Sequence, residues 1–141
     1  MKRLEHIGIA VRDLDEANAL FEKLLGCSHY KVEEVPSEGV RVSFFNVSGV
    51  KFELLAPTRP DSAISRHIEK RGEGVHHVAF EVDDDLEQAI ADHETMGFAP
   101  INPVPSPGAD NKRICFLHPK STGGVLVELC QERAVSGSAG R

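Results

Sequence analysis

Ile7, Ile9 and Val11 alternate with His6, Gly8 and Ala10 near the start of the chain. This period of two predicts a strand with one apolar face. From Asp13 the pattern changes to that of a helix, with acidic residues at its beginning and Gly26 at its end. Negative charge suits the positive end of a helix, and glycine suits its stop. Three strand-like pieces follow, HYKVEEV, GVRVSFFNV and VKFELLAP, the last two joined at Ser48-Gly49 as in a hairpin.

The chain then repeats this programme. HVAFEVDDDLEQAIADHETMG, from His77, aligns without a gap on HIGIAVRDLDEANALFEKLLG, from His6, matching Val82 to Val11, Asp84 to Asp13, Glu87 to Glu16 and Gly97 to Gly26. FAPINPV, KRICFLHP and GVLVELC read as the second set of three strands, with Thr122-Gly123-Gly124 as a turn and PVPSPGADNK as the long loop. The fold class is therefore α+β, with two tandem βαβββ modules at about residues 3–57 and 74–131. PTRPDSAISRHIEKRGEG between them predicts a connector helix within about 61–71, capped by Asp61 or Ser62. Residues 1–132 are expected to form one domain, and 133–141, small and polar, a flexible tail.

Composition narrows the partners. A net charge of −6 argues against a nucleic-acid or anionic-membrane surface, although Arg66, Lys70 and Arg71 offer a local anion site. Three cysteines, Cys27, Cys115 and Cys130, form neither a disulfide framework nor a zinc motif, which suits a reducing, cytoplasmic setting. The opening MKRLEHIGIAV carries Glu5 and too few apolar residues for a signal peptide.

Candidate chemistry lies on the second strand face. Ile7 and Ile9, like Val78 and Phe80, are expected to pack under the helices, which leaves His6 and His77 on the opposite side beside Gly8 and Ala79. Glu53, in GVKFELLAP, and Glu128, in GVLVELC, stand on that side at matching offsets from Gly49 and Gly124. Two carboxylates buried together repel and lose hydration, and a divalent cation removes that objection. Imidazole and carboxylate donors suit Mn, Fe, Co, Ni or Zn, and four of them leave two positions open on a six-coordinate ion. Next to His77, His76 is expected to face the other way; His29, His67 and His93 read as solvated, and His118 as a turn support or a site residue. No phosphate-binding glycine loop or serine nucleophile motif occurs.

A repeated module with His opening and Glu closing each half resembles the vicinal oxygen chelate superfamily. Within it, HIGIAVRDLDEA, ELLAPTRPDSAISRHIEKRGEGVHHVAFEV and FLHPKSTGGVLVELCQ are similar to methylmalonyl-CoA epimerases. The resemblance runs from His6 to about Gln131 and implies a curved mixed sheet with helices on its outer face. It also implies metal ligation by His6, Glu53, His77 and Glu128, a divalent ion such as Co2+, Mn2+, Zn2+ or Ni2+, a coenzyme A thioester substrate and a homodimer. Some epimerases carry Gln at the position of Glu53 and a non-ligand Glu at that of Val42, so Glu53 and Glu128 become the candidate acid-base pair. Lys120 and Ser121 are candidate coenzyme A contacts. A lactoylglutathione lyase (glyoxalase I) and a metal-free binding protein of the same fold are the alternatives.

Overall fold

The computed structural model describes residues 1–83 and 85–133. Asp84 and residues 134–141, most of the expected tail, lie outside the described residues. Module 1 runs β1 (Arg3–Ala10), α1 (Leu14–Leu25), β2 (Lys31–Val35), β3 (Val40–Val47) and β4 (Val50–Pro57). The connector forms α2 (Ala63–Arg71). Module 2 runs β5 (Gly74–Glu81), α3 (Leu86–Thr95), β6 (Ser106–Gly108), β7 (Lys112–Leu117), a short 3-10 turn (Pro119–Ser121) and β8 (Val127–Glu132).

Local chemistry sets the helix ends. The Asp13 carboxylate accepts the Glu16 amide at 3.0 Å, and Gly26 ends α1 in the left-handed region at φ 71°. Ser62 caps α2 by accepting the Ser65 amide at 3.1 Å. The start of α3 is held by Asp85, which accepts the amides of Glu87 and Gln88.

Among the described residues the strands join one eight-stranded sheet in the order β2-β3-β4-β1-β5-β8-β7-β6. Within each module the first and last strands pair in parallel, β1 with β4 and β5 with β8, and the modules meet where β1 and β5 run antiparallel. The order therefore reads the same from either edge, as an internal twofold requires. On the outer face α1 covers Ile9, Val11, Phe45 and Leu54, while α3 covers Cys115, Leu117 and Leu129. The connector α2 packs Ile64 and Ile68 on the inner face of module 1, against Val35, Val40, Val42 and Leu55.

Two expectations need correction. FAPINPV contributes only an isolated bridge, Pro100 with Leu117; the strand of that region is the three-residue β6, inside the segment read as loop. Pro100, Pro103, Pro105 and Pro107 lack the amide hydrogen a ladder needs, so only an edge remains for them. The second correction concerns His76. Register shifts in the β1–β5 pair, between Leu4 and His6 and between Gly8 and Ile9, leave Glu5 and His76 as extra residues. Each is a β-bulge, which breaks the alternation and sets two consecutive side chains on one side. His76 therefore accompanies His77 instead of opposing it.

Candidate metal centre

Repeat-related strands deliver the site. Gly8 pairs with Glu53 across β1–β4, and Ala79 pairs with Glu128 across β5–β8. A residue with little or no side chain beside each glutamate leaves room for what the carboxylate faces. His6, Glu53, His77 and Glu128 are all at most 5% exposed. They border a cavity of about 290 Å³ whose remaining wall includes Val42, Leu55, Ile114, Phe116 and Leu126.

Three of the four expected ligands converge. Nε2 of His6 lies 2.9 Å from Nε2 of His77, which lies 3.3 Å from Oε1 of Glu128; Glu128 Oε2 is 3.7 Å from His6 Nε2. Donors about 2.1 Å from one ion at right angles are separated by about 3 Å, so these spacings suit a shared divalent cation. The three donors all lie within 4.8 Å of one another. Glu53 stands apart: its Oε2 is 3.2 Å from Nδ1 of His6, the opposite ring nitrogen, where it groups with Glu5.

The charges of the four groups oppose their burial. Burial pushes the Glu128 carboxyl up to about 8, and raises that of Glu53 as well. His6 is pulled down by burial but held at about 9 by the carboxylates of Glu128, Glu53 and Glu5. Burial, with His6 and His76 nearby, lowers His77 well below its ordinary value. A cluster that must share protons to exist in the interior is suited to exchanging them for a metal cation.

Sequence reasoning missed the residues behind the ligands. The Glu5 carboxylate, 1% exposed, accepts a hydrogen bond from His6 Nδ1 at 2.5 Å. Nδ1 of His76 lies 2.9 Å from Nδ1 of His77. Burial, aided by His67, lowers His76 to about 4, so this imidazole stays neutral and can accept the His77 proton. Both contacts leave the Nε2 lone pairs free to face the ion, the usual function of a partner behind a metal-bound histidine. These partners occupy the bulge positions, and alternation alone gives no sign of them. Glu38, on the turn before β3, also lines the cavity, and burial raises its carboxyl.

The remaining candidates lie farther out. His118 caps the 3-10 turn, its Nδ1 accepting the Lys120 amide at 3.1 Å. Ser121 accepts the Ala99 amide at 3.0 Å and donates to the His118 carbonyl at 2.8 Å. Lys120 is exposed, and neither it nor Ser121 lines the central cavity. An adjacent cleft, bordered by Pro119, Gly124, His67 and Arg71, shares His76 and Leu126 with that cavity. His29 pairs with Glu22 at 2.7 Å, and His93 contacts the Ala89 carbonyl at 2.6 Å.

Residues 5–116 match the glyoxalase/bleomycin resistance protein/dioxygenase superfamily. The chain belongs to this superfamily. Among superfamily members, the mitochondrial methylmalonyl-CoA epimerase of Mus musculus is 39% identical over 130 residues, 92% of this chain and 72% of that protein. The ethylmalonyl-CoA/methylmalonyl-CoA epimerase of Cereibacter sphaeroides is 38% identical over 130 residues, 92% of this chain and 97% of that one. A solved structure of a Streptomyces coelicolor methylmalonyl-CoA epimerase variant in complex with 2-nitronate-propionyl-CoA superposes with a TM-score of 0.87. It is 37% identical and covers 96% of this chain and 98% of its own. The vicinal oxygen chelate fold that the resemblance implied is thus the fold observed.

Proposed function

We propose that the chain is a metal-dependent epimerase that interconverts the (R) and (S) forms of methylmalonyl-CoA by removing and returning the proton on the carbon between thioester and carboxylate. The observation that supports this most is the buried convergence of His6, His77 and Glu128 on one cavity, in a chain whose relatives bear that activity in their names. In this reading His6, His77 and Glu128 would hold the ion, with Glu53 beside the opposite ring nitrogen of His6. A bound ion, Co2+, Mn2+, Zn2+ or Ni2+ by donor type, would supply positive charge to stabilise the thioester oxygen. A nitronate is planar and anionic like the enolate so formed, in keeping with the compound bound by the Streptomyces relative.

Inversion needs proton exchange on opposite faces of the planar carbon. Val42 is apolar and fully buried, so its position supplies no base. Glu128 and Glu53, on β8 and β4 from opposite modules, take these roles. Burial raises both carboxyls in the ion-free protein; a bound cation would lower them again, so each would have to loosen from the ion as it takes the proton. The apolar wall of Val42, Leu55, Ile114 and Phe116 keeps water from the carbanion.

For the coenzyme A arm we assign the adjoining cleft, with Lys120 and Ser121 on the turn beside it and Arg71 in its wall. Exposed Leu20 and Leu24 on α1 give an apolar surface for the second copy of a homodimer, and the free Cys27, Cys115 and Cys130 suit a cytoplasmic setting. Among the described residues no helix is long and apolar enough to cross a membrane. The glyoxalase I and metal-free alternatives draw no support from the relatives above.

The test is α-proton exchange of methylmalonyl-CoA in deuterated water, before and after chelation. Activity is expected to vanish with the ion and return with Co2+ or Mn2+. Turnover of a glutathione hemithioacetal without epimerisation overturns the substrate, and full activity in metal-free protein overturns the ion.

A further inference from the structure

Glu5 is more than a partner for His6. Its Oε2 lies 2.6 Å from Nζ of Lys51, a β4 lysine only 8% exposed. The same ammonium group binds Asp110, which also takes Lys31 Nζ at 2.6 Å. Asp110 sits in the turn between β6 and β7, so module 2 reaches across to the β2 and β4 strands of module 1. That turn is held further by the Asp110 amide, which donates to Glu33 at 2.9 Å. Asp110 and Asn111 both adopt left-handed backbone, at φ 59° and 56°, a conformation that their short polar side chains tolerate in a tight turn. Gly108 and Ala109, just before them, form part of the cavity wall, and Ala109 packs on the inner core of module 1.

A continuous polar chain therefore runs from His6 through Glu5, Lys51 and Asp110 to the wall that faces the substrate. Its middle is buried, where charges interact strongly and a missing partner is expensive. We propose that this chain couples the orientation of His6 to the position of the Gly108–Asn111 turn, with Glu5 a positioning residue for the ion and Asp110 a remote determinant of its affinity. The inference rests on the metal reading above. Holding the imidazole by Nδ1 fixes Nε2 toward the ion, and an ion on Nε2 strengthens the Nδ1 hydrogen bond to Glu5. Glu5 and Asp110 share one ammonium group, which donates to both, so displacing either carboxylate moves the lysine against the other. The linkage is reciprocal: whatever loosens the turn weakens the ion, and the ion tightens the turn.

The experiment measures Co2+ affinity of the full chain by competition with a chromophoric chelator, without any thioester. Amide hydrogen exchange of residues 108–111 is followed with and without Co2+. Glu5→Gln is expected to weaken Co2+ about 10–100-fold, and Asp110→Asn, which touches no ligand, about fivefold or more. The double variant should lose less than the product of the two, because both cut one chain. Co2+ should slow exchange at 108–111 in the wild type and not in Asp110→Asn. Glu87→Gln, which breaks the surface pair with Arg113 on β7, is the control and leaves Co2+ affinity unchanged. Unchanged affinity in Asp110→Asn, or exchange at 108–111 indifferent to Co2+ in a wild type that binds it, overturns the coupling. Failure of the wild type to bind Co2+, Mn2+, Zn2+ or Ni2+ overturns the metal reading itself. Should Glu5→Gln fail to fold, the Asp110→Asn arm decides alone.

Discussion

Gly8 shows how strictly single residues are constrained at the centre. A Cβ built there would lie 2.6 Å from Nδ1 and 2.7 Å from Nε2 of His77, inside the ring's own contact distance. Gly8→Ala should therefore push His77 off the ion while β1, already extended at this point, still pairs. The expected result is at least a tenfold loss in metal affinity, by chelator competition, with an unchanged far-ultraviolet dichroism spectrum. The two glutamates separate differently. If they act on opposite faces of the substrate carbon, Glu53→Gln and Glu128→Gln should each lower epimerisation by about 10²–10⁴-fold. Deuterium wash-in from one enantiomer should survive in at least one of them, since one base still removes a proton. Full inversion by Glu53→Gln beside a dead Glu128→Gln would remove Glu53 from the chemistry. Asp110 gives a pH test. Lys31 and Lys51, outweighing partial burial, hold its carboxyl at about 2 rather than 3.8. A lowered folded-state value stabilises the native form above the unfolded value, and the stabilisation disappears as pH falls from about 4 through 2. With the side chain 28% exposed, screening reduces the effect to about 1–2 kcal/mol. Urea midpoints of the wild type and Asp110→Asn should differ at pH 7 and converge near pH 2.

At the level of elements, the start of α1 carries a stability prediction. Asp13→Ala removes the side chain that accepts the Glu16 amide and should cost about 1 kcal/mol in urea unfolding, without altering metal affinity. Helix and strand identity was legible because it follows from period and caps, both local. The gap-free match of His6–Gly26 on His77–Gly97 revealed the duplication. The alternation also placed His6, Glu53, His77 and Glu128 on the cavity face, where the structure has them. What escaped is what alternation cannot encode. Bulges at Glu5 and His76 arise from the pairing of β1 with β5, a partnership seventy-odd residues apart, and they invert the local face rule. The short β6 escaped for a related reason: a proline-rich edge strand looks like a loop until its partner Ile114 is known. The long reach of Asp110 to Lys51 is likewise a tertiary event, since only folding brings the second module's turn onto the first module's strands.

For the whole molecule, the proposed ion would have a mechanical consequence. His6 belongs to module 1, whereas His77 and Glu128 belong to module 2, so a cation on all three joins the halves across the β1–β5 seam. An ion bound only by the folded chain stabilises it by RT ln(1 + [L]/Kd), about 2.7 kcal/mol at a hundredfold excess over Kd. For a domain of this size that corresponds to a rise in Tm of about 5–10 °C. Chelated protein should melt lower by this amount, and Co2+ should restore the difference. His77→Ala removes one strut and is expected to abolish most of the rise that Co2+ produces over the variant's own metal-free Tm. Scanning calorimetry with and without chelator checks both. If His77→Ala keeps the full rise in Tm on adding Co2+, module 2 does not hold the ion and the ion is not shared across the seam. The ligands would then have to be sought within one module, as in the Glu5, His6 and Glu53 group.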